Sequence, residues 1–121
     1  MASRRALIRA AVDAKAEARP PFWGVLATQG LLGLHLPEQH GGTGQGLLEA
    51  AVALEQLVRA MVPGPLLPTV LASAVLHDCG HTRYLPGLAD GSLIGAVALQ
   101  PGSLRLTPDG ATRLLTGQSP R

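Results

Sequence analysis

Three stretches of this chain carry residue types that do chemistry. His77-Asp78-Cys79-Gly80-His81 sets two imidazoles and a thiol in one short run, the donors a zinc site uses. Ligands two residues apart do not share a helical face, and no further ligand motif lies nearby, so the run argues against a metal centre. Cys79 is no better as a nucleophile. It falls at a helix C-terminus, where the dipole disfavours a thiolate. Glu55 has the chemistry of a general base, but Arg59 follows at i+4 on the polar face and pairs with it. The third stretch, Gly41-Gly42-Thr43-Gly44-Gln45-Gly46, invites comparison with a phosphate cradle. No GxGxxG fits it, because position 45 is glutamine and 47 is leucine, and no Gly-Lys-Ser/Thr follows. Its glycines suit a tight turn leading into the next helix. No residue is therefore assigned a catalytic or metal-binding role.

The elements that hold these residues follow from spacing and from chain breakers. Ser3 to Ala18 reads as a helix with Ser3 as N-cap and an Ala/Leu stripe, stopped by Pro20-Pro21. Pro21 opens a second helix, with Phe22, Val25, Leu26 and Gln29 at helical spacing and Gly30 as its stop. Trp23, the one indole, reads as a half-buried anchor at that helix start. Leu31 to Pro37 reads as extended, and a loop runs to Gly46.

The strongest helix is Leu47 to Met61, with Leu47, Ala51, Leu54, Val58 and Met61 as its apolar stripe. Val62-Pro63-Gly64-Pro65 ends it. Leu66 to His77 is a further helix, apolar all round and so expected to be buried on all sides. A short helix capped by Gly91 follows. Ser92 to Leu99 reads as β-like. Leu104 and Leu106 flank Arg105 as a second short strand, Pro108-Asp109-Gly110 marks a turn, and Ala111 to Thr116 is a third strand.

Bulk properties narrow the function classes. The chain has 121 residues, 46% hydrophobic against 15% charged, which suits one folded domain rather than disorder. The net charge is +2, the arginines are scattered beyond a small N-terminal group, and aromatics are 2% of the chain, so a nucleic-acid surface is not expected. The single cysteine, Cys79, suits a reducing cytosol, and a cytoplasmic location is expected. No apolar run reaches the ~18 residues of a membrane span.

The run Leu36-Pro37-Glu38-Gln39-His40-Gly41-Gly42-Thr43-Gly44, preceded by Trp23 and Gly30-Leu31-Leu32-Gly33-Leu34, resembles the N-terminal domain of acyl-CoA dehydrogenases. Leu54-Glu55-Gln56-Leu57, Pro63-x-Pro65 and Leu85-Pro86-Gly87-Leu88-Ala89-Asp90-Gly91 continue the likeness, which covers roughly residues 20–117. The expected fold class is mainly α, with a helical acyl-CoA dehydrogenase N-terminal-like domain over residues 1–91. A short incomplete β segment, the truncated start of a β-domain, follows over 92–121.

The resemblance implies FAD as cofactor and an acyl-CoA thioester as substrate. A carboxylate base takes the α-proton while the β-hydride passes to the flavin. In the family that base lies in a C-terminal domain that this chain lacks. Where relatives carry Thr-Glu-Pro and Gly-Ser-Asp, this chain has Leu99-Gln100-Pro101-Gly102-Ser103. FAD is therefore not expected to be held by this chain alone. By the same resemblance Leu66, Leu67 and Val70 are the candidates for lining the acyl tail. The chain reads as a fragment or short subunit of the enzyme, inactive by itself, or as a non-catalytic helical subunit. Either implies homo- or hetero-oligomers with acyl-CoA dehydrogenase subunits.

Overall fold

The computed structural model describes residues 19–100, 102 and 104–118. The helix expected over Ser3 to Ala18 lies outside the described residues.

Helix α1, Trp23–Thr28, ends as its sequence requires. Gly30 sits at φ +73°. Its N–H reaches Ala27 O at 2.9 Å and Leu31 N–H reaches Leu26 O at 3.0 Å. This pair of bonds satisfies two carbonyls that the helix end leaves bare. Helix α2, Leu47–Arg59, ends in the same way with a less suitable residue. Met61 occupies the left-handed position at φ 54°, and Val62 N–H reaches Leu57 O at 3.0 Å. A side chain there is strained, where glycine is not. Helix α3, Leu66–Asp78, closes through Gly80 at φ +76° and a His81 N–H bond to Leu76 O of 2.8 Å. Helix α4, Leu85–Ala89, is one short turn, with Gly91 beyond it at φ +77°.

Trp23 is fully buried rather than half-buried. Its ring joins Leu26, Leu32 and Leu66 in one core cluster, and Nε1 donates to Gly91 O at 3.1 Å. The first described helix is thereby tied to the end of α4, 68 residues later. Arg19 reinforces the junction by donating to Ser92 O. A second small cluster unites Leu36, Leu85 and Ala89, with Leu76 against it.

Several expectations are corrected. Leu31 to Pro37 is not extended but folds through consecutive turns, closed by Gly33 N–H to Gly30 O and Leu36 N–H to Gly33 O. A 3-10 turn, Glu38–His40, follows. Glycines at 30 and 33 make the folded path accessible, so an apolar run is not compelled to stretch. Helix α2 turns Ala50, Ala53, Leu54 and Leu57 inward, while Leu47, Ala51, Val58 and Met61 of the expected stripe stay exposed. Helix α3 is covered on one side only. Leu66, Thr69, Val70, Ala72 and Ser73 are buried, whereas Leu67 and Val75 face outward. Ser92 to Leu99 forms no strand, because no strand lies beside it to share a ladder. It runs across α3, where Gly95 N–H donates to Thr69 Oγ1 at 3.2 Å.

The remaining β segment is a hairpin, β1 Arg105–Asp109 with β2 Thr112–Thr116, antiparallel, with Asp109 opposite Thr112. Gly110 and Ala111 are the loop, and Gly110 supplies the positive φ, +60°, that such two-residue turns need. Pro108 belongs to the strand and not to the turn. Leu106 and Leu115 sit opposite each other and are both exposed. The fold is thus mainly helical with a short two-stranded antiparallel sheet at its C-terminal end.

Candidate functional site

Helix α3 carries the residues expected at the acyl tail, and its face changes character along its length. Leu66, Val70, Ser73 and His77 fall at i, i+4, i+7 and i+11, which places them on one side. Leu66 and Val70 are each 4% exposed and pack inward, while Leu67 is 53% exposed on another side. The structure therefore brings Leu66 and Val70 together and sets Leu67 apart. Thr69 Oγ1 donates to Pro65 O at 2.7 Å and receives Gly95 N–H, which fixes the segment after α4 against the helix. That approach requires glycine, since a Cβ at position 95 would stand 2.6 Å from the Ala72 Cβ.

Toward its C-terminus the same face becomes polar. Ser73, fully buried, donates to Val70 O at 2.9 Å and lies 2.9 Å from His35 Nε2. A serine has one proton. With it given to Val70, Ser73 Oγ accepts from His35 Nε2–H. That tautomer leaves His35 Nδ1 as a bare lone pair, and the atom is buried without a partner. Desolvation holds the His35 pKa below its ordinary value, and the nearby charge of His77 lowers it further. His77 in turn stands edge-on to His40, ring centres 6.0 Å apart. Sequence reasoning passed over His35 and Ser73. The available signal was a lone imidazole inside the apolar run Gly33-Leu34-His35-Leu36 and a lone hydroxyl inside an apolar helix.

The other sequence candidates are distributed over the surface. Glu55 pairs with Arg59 at 3.2 Å, both well exposed. Cys79 is an exposed free thiol. Among the described residues no group of three His, Cys, Asp or Glu is placed to hold a metal ion. The glycine loop spends its amides internally. Gly41 N–H bonds to Glu38 O, Gly42 to Pro37 O, Thr43 to Gly33 O, Gly44 to Leu36 O and Gln45 to Leu34 O. Those donors are committed to the loop's own carbonyls, which is the geometry of a folded turn and not of an anion nest.

The comparisons with known proteins agree with this architecture. The family model for the acyl-CoA dehydrogenase N-terminal domain matches residues 2–92. This chain belongs to the acyl-CoA dehydrogenase family. Acyl-CoA dehydrogenase IpdE2 of Mycolicibacterium smegmatis is 43% identical over 95 residues, covering 78% of this chain and 30% of the relative. Mitochondrial isovaleryl-CoA dehydrogenase of Pongo abelii is 32% identical over 85 residues, 64% of this chain and 20% of its own. Among solved structures, the Tcur3481-Tcur3483 steroid ACAD G363A variant superposes with a TM-score of 0.80 at 34% identity, over 91% of this chain and 34% of that one. The chain thus spans between a fifth and about a third of the length of these relatives.

Acyl-CoA dehydrogenases are FAD-dependent. Where relatives present a hydroxyl and a carboxylate, this chain presents Leu99, 82% exposed, and Gln100, also exposed. Those two positions offer a flavin neither a hydroxyl nor a carboxylate. No helix among the described residues is long and apolar enough to cross a membrane.

Proposed function

We propose that this chain is the N-terminal helical wall of an FAD-dependent acyl-CoA dehydrogenase and oxidises no thioester unaided. One observation carries the reading. Helix α2 packs Ala50, Leu54 and Leu57 inward, yet Leu47, Leu48, Val52 and Val58 on it and Met61 just beyond it are more than half exposed. Monomeric proteins rarely leave so many large apolar side chains on one element, and such patches are typical of surfaces that meet more protein. The division into a helical part over residues 1–91 and the beginning of a β-domain over 92–121 belongs to the same reading.

Within such an assembly the substrate is an acyl-CoA, and its tail runs along α3. Leu67 touches the acyl group from its exposed position, while Leu66 and Val70 support the helix from behind. A reducing, cytoplasmic setting suits the exposed thiol of Cys79.

The likeness to a steroid acyl-CoA dehydrogenase named for two gene products favours a second form of the same reading. In that form the chain is a non-catalytic helical subunit packed on a catalytic acyl-CoA dehydrogenase partner.

The test is direct. The full chain, purified and titrated with FAD, is expected to show no bound-flavin absorbance band and no oxidation of an acyl-CoA thioester. Stoichiometric flavin, or turnover by the chain alone, overturns the proposal. Co-expression with a catalytic acyl-CoA dehydrogenase subunit separates the two forms: the helical subunit co-purifies with an enzyme already complete in its flavin, whereas the wall restores flavin to one lacking it.

A further inference from the structure

We propose that His35, with His77 and His40 beside it, is an acid-sensitive latch holding the Gly33–Gln45 loop on α3. The loop stays closed while the His35 imidazole is neutral and opens when it takes up a proton. Three geometric facts support this. His35 Nε2 makes the one cross-link from this loop to the buried hydroxyl of Ser73, at 2.9 Å. Its other ring nitrogen, Nδ1, is buried with no acceptor in reach. A proton added there would create a buried cation with an unpartnered N–H, a costly combination. Finally, the adjoining imidazole, His77, stands edge-on to that of His40, with ring centres 6.0 Å apart.

Charges that could offset the proton are poorly placed. Helix α3 contributes His77 and, next to it, the exposed Asp78. The 3-10 turn contributes His40 and the exposed Glu38. Helix α4, Leu85–Ala89, has no ionisable side chain. Glu49 of α2 turns toward Gly46, where its Oε2 lies 2.9 Å from the position a Cβ would take. The charge felt at His35 is that of His77, which opposes protonation.

The direction in pH follows. The folded loop binds a proton at His35 less readily than the open loop does. Closure is therefore complete above the ordinary histidine pKa of about 6.5 and is lost as pH falls below it. The loop's own bonds report the opening, because the Thr43, Gly44 and Gln45 amides are held by Gly33 O, Leu36 O and Leu34 O on either side of His35.

Amide hydrogen exchange by mass spectrometry on the full chain tests the latch, read on the peptide spanning residues 42–46. Rates are corrected for the intrinsic effect of pH. Between about pH 7.5 and about pH 5.5 the wild-type loop is expected to lose protection about tenfold, while the amides of Gln29 and Gly30 at the end of α1 change little. His35→Gln keeps a side-chain N–H for Ser73 and cannot titrate, so its loop protection is expected to be independent of pH. His77→Gln, on an exposed helix end, removes the opposing charge and is expected to reduce the loss. A wild-type loop whose protection does not change, or a His35→Gln loop that opens with acid as the wild type does, overturns the proposal. Should His35→Gln fail to fold, His77→Gln decides alone, and an unaltered response there also overturns it.

Discussion

Replacing Trp23 by phenylalanine tests the junction that closes the core. The indole is 1% exposed, and its Nε1–H is given to Gly91 O at 3.1 Å. Phenylalanine keeps an aromatic ring in place but has no donor, so the Gly91 carbonyl is left buried and unpaired, at a cost of about 1–3 kcal/mol. The smaller ring also opens a void among Leu26, Leu32 and Leu66, worth about 1 kcal/mol more. The sum is about 2–4 kcal/mol, a large part of the ~5–15 kcal/mol that holds a typical domain folded.

Urea unfolding of the purified chain reads this directly. Far-UV circular dichroism is the probe, since the variant has lost the single indole. Gly91→Ala approaches the same contact from the other side. Its Cβ would lie 3.1 Å from Trp23 Nε1, at a backbone φ of +77° that resists a side chain. Because both changes break one junction, the double variant is expected to lose less than the sum of the two. A Trp23→Phe midpoint shifted by less than about 0.5 kcal/mol, or strict additivity with Gly91→Ala, refutes the account of the junction.

Three further outcomes are expected. Gly42→Ala places a Cβ 2.0 Å from Leu36 O, a clash with backbone that no rotamer relieves, so soluble yield at neutral pH is expected to collapse. Met61→Gly relieves the left-handed strain at φ 54° and is expected to raise stability by about 0.5–1 kcal/mol in the same urea assay. Leu47→Glu with Val58→Glu alters only exposed positions of α2. It is expected to leave the circular dichroism unchanged while sharpening a self-associating elution profile toward monomer in size-exclusion chromatography.

The helices were legible because their signals are local. Proline at 20 and 21 and at 63 and 65, and glycine at 30 and 91, bound them within a few residues of where they lie. Which side of a helix faces inward is not local. Helix α2 has apolar residues on more than one side, and the inner one is set by what Leu54 and Leu57 meet, the Trp23, Leu26, Leu32 and Leu66 cluster, which its own spacing does not reveal. The turn over Leu31 to Pro37 and the irregular path of Ser92 to Leu99 were missed for a related reason. Both depend on what lies opposite: the loop amides of Thr43 to Gln45 in the first case, Thr69 and Ala72 in the second. His35 and Ser73 meet across 38 residues, so no spacing rule could pair them. Of the acyl-facing candidates, Leu66 and Val70 share a face as a period of four demands, but the same period cannot say that Leu67, one step along, turns to solvent.

The hairpin of Arg105–Asp109 and Thr112–Thr116 has two outer rims, and neither has a neighbouring strand among the described residues. A sheet of two strands is a poor freestanding object, because its backbone donors and acceptors are half spent and its Leu106–Leu115 rung lies bare. The register set by the turn at Gly110 and Ala111 fixes which backbone groups of each strand point outward along its rim. This small ribbon is therefore a template: the backbone groups along its two open rims are already ordered to accept an added strand.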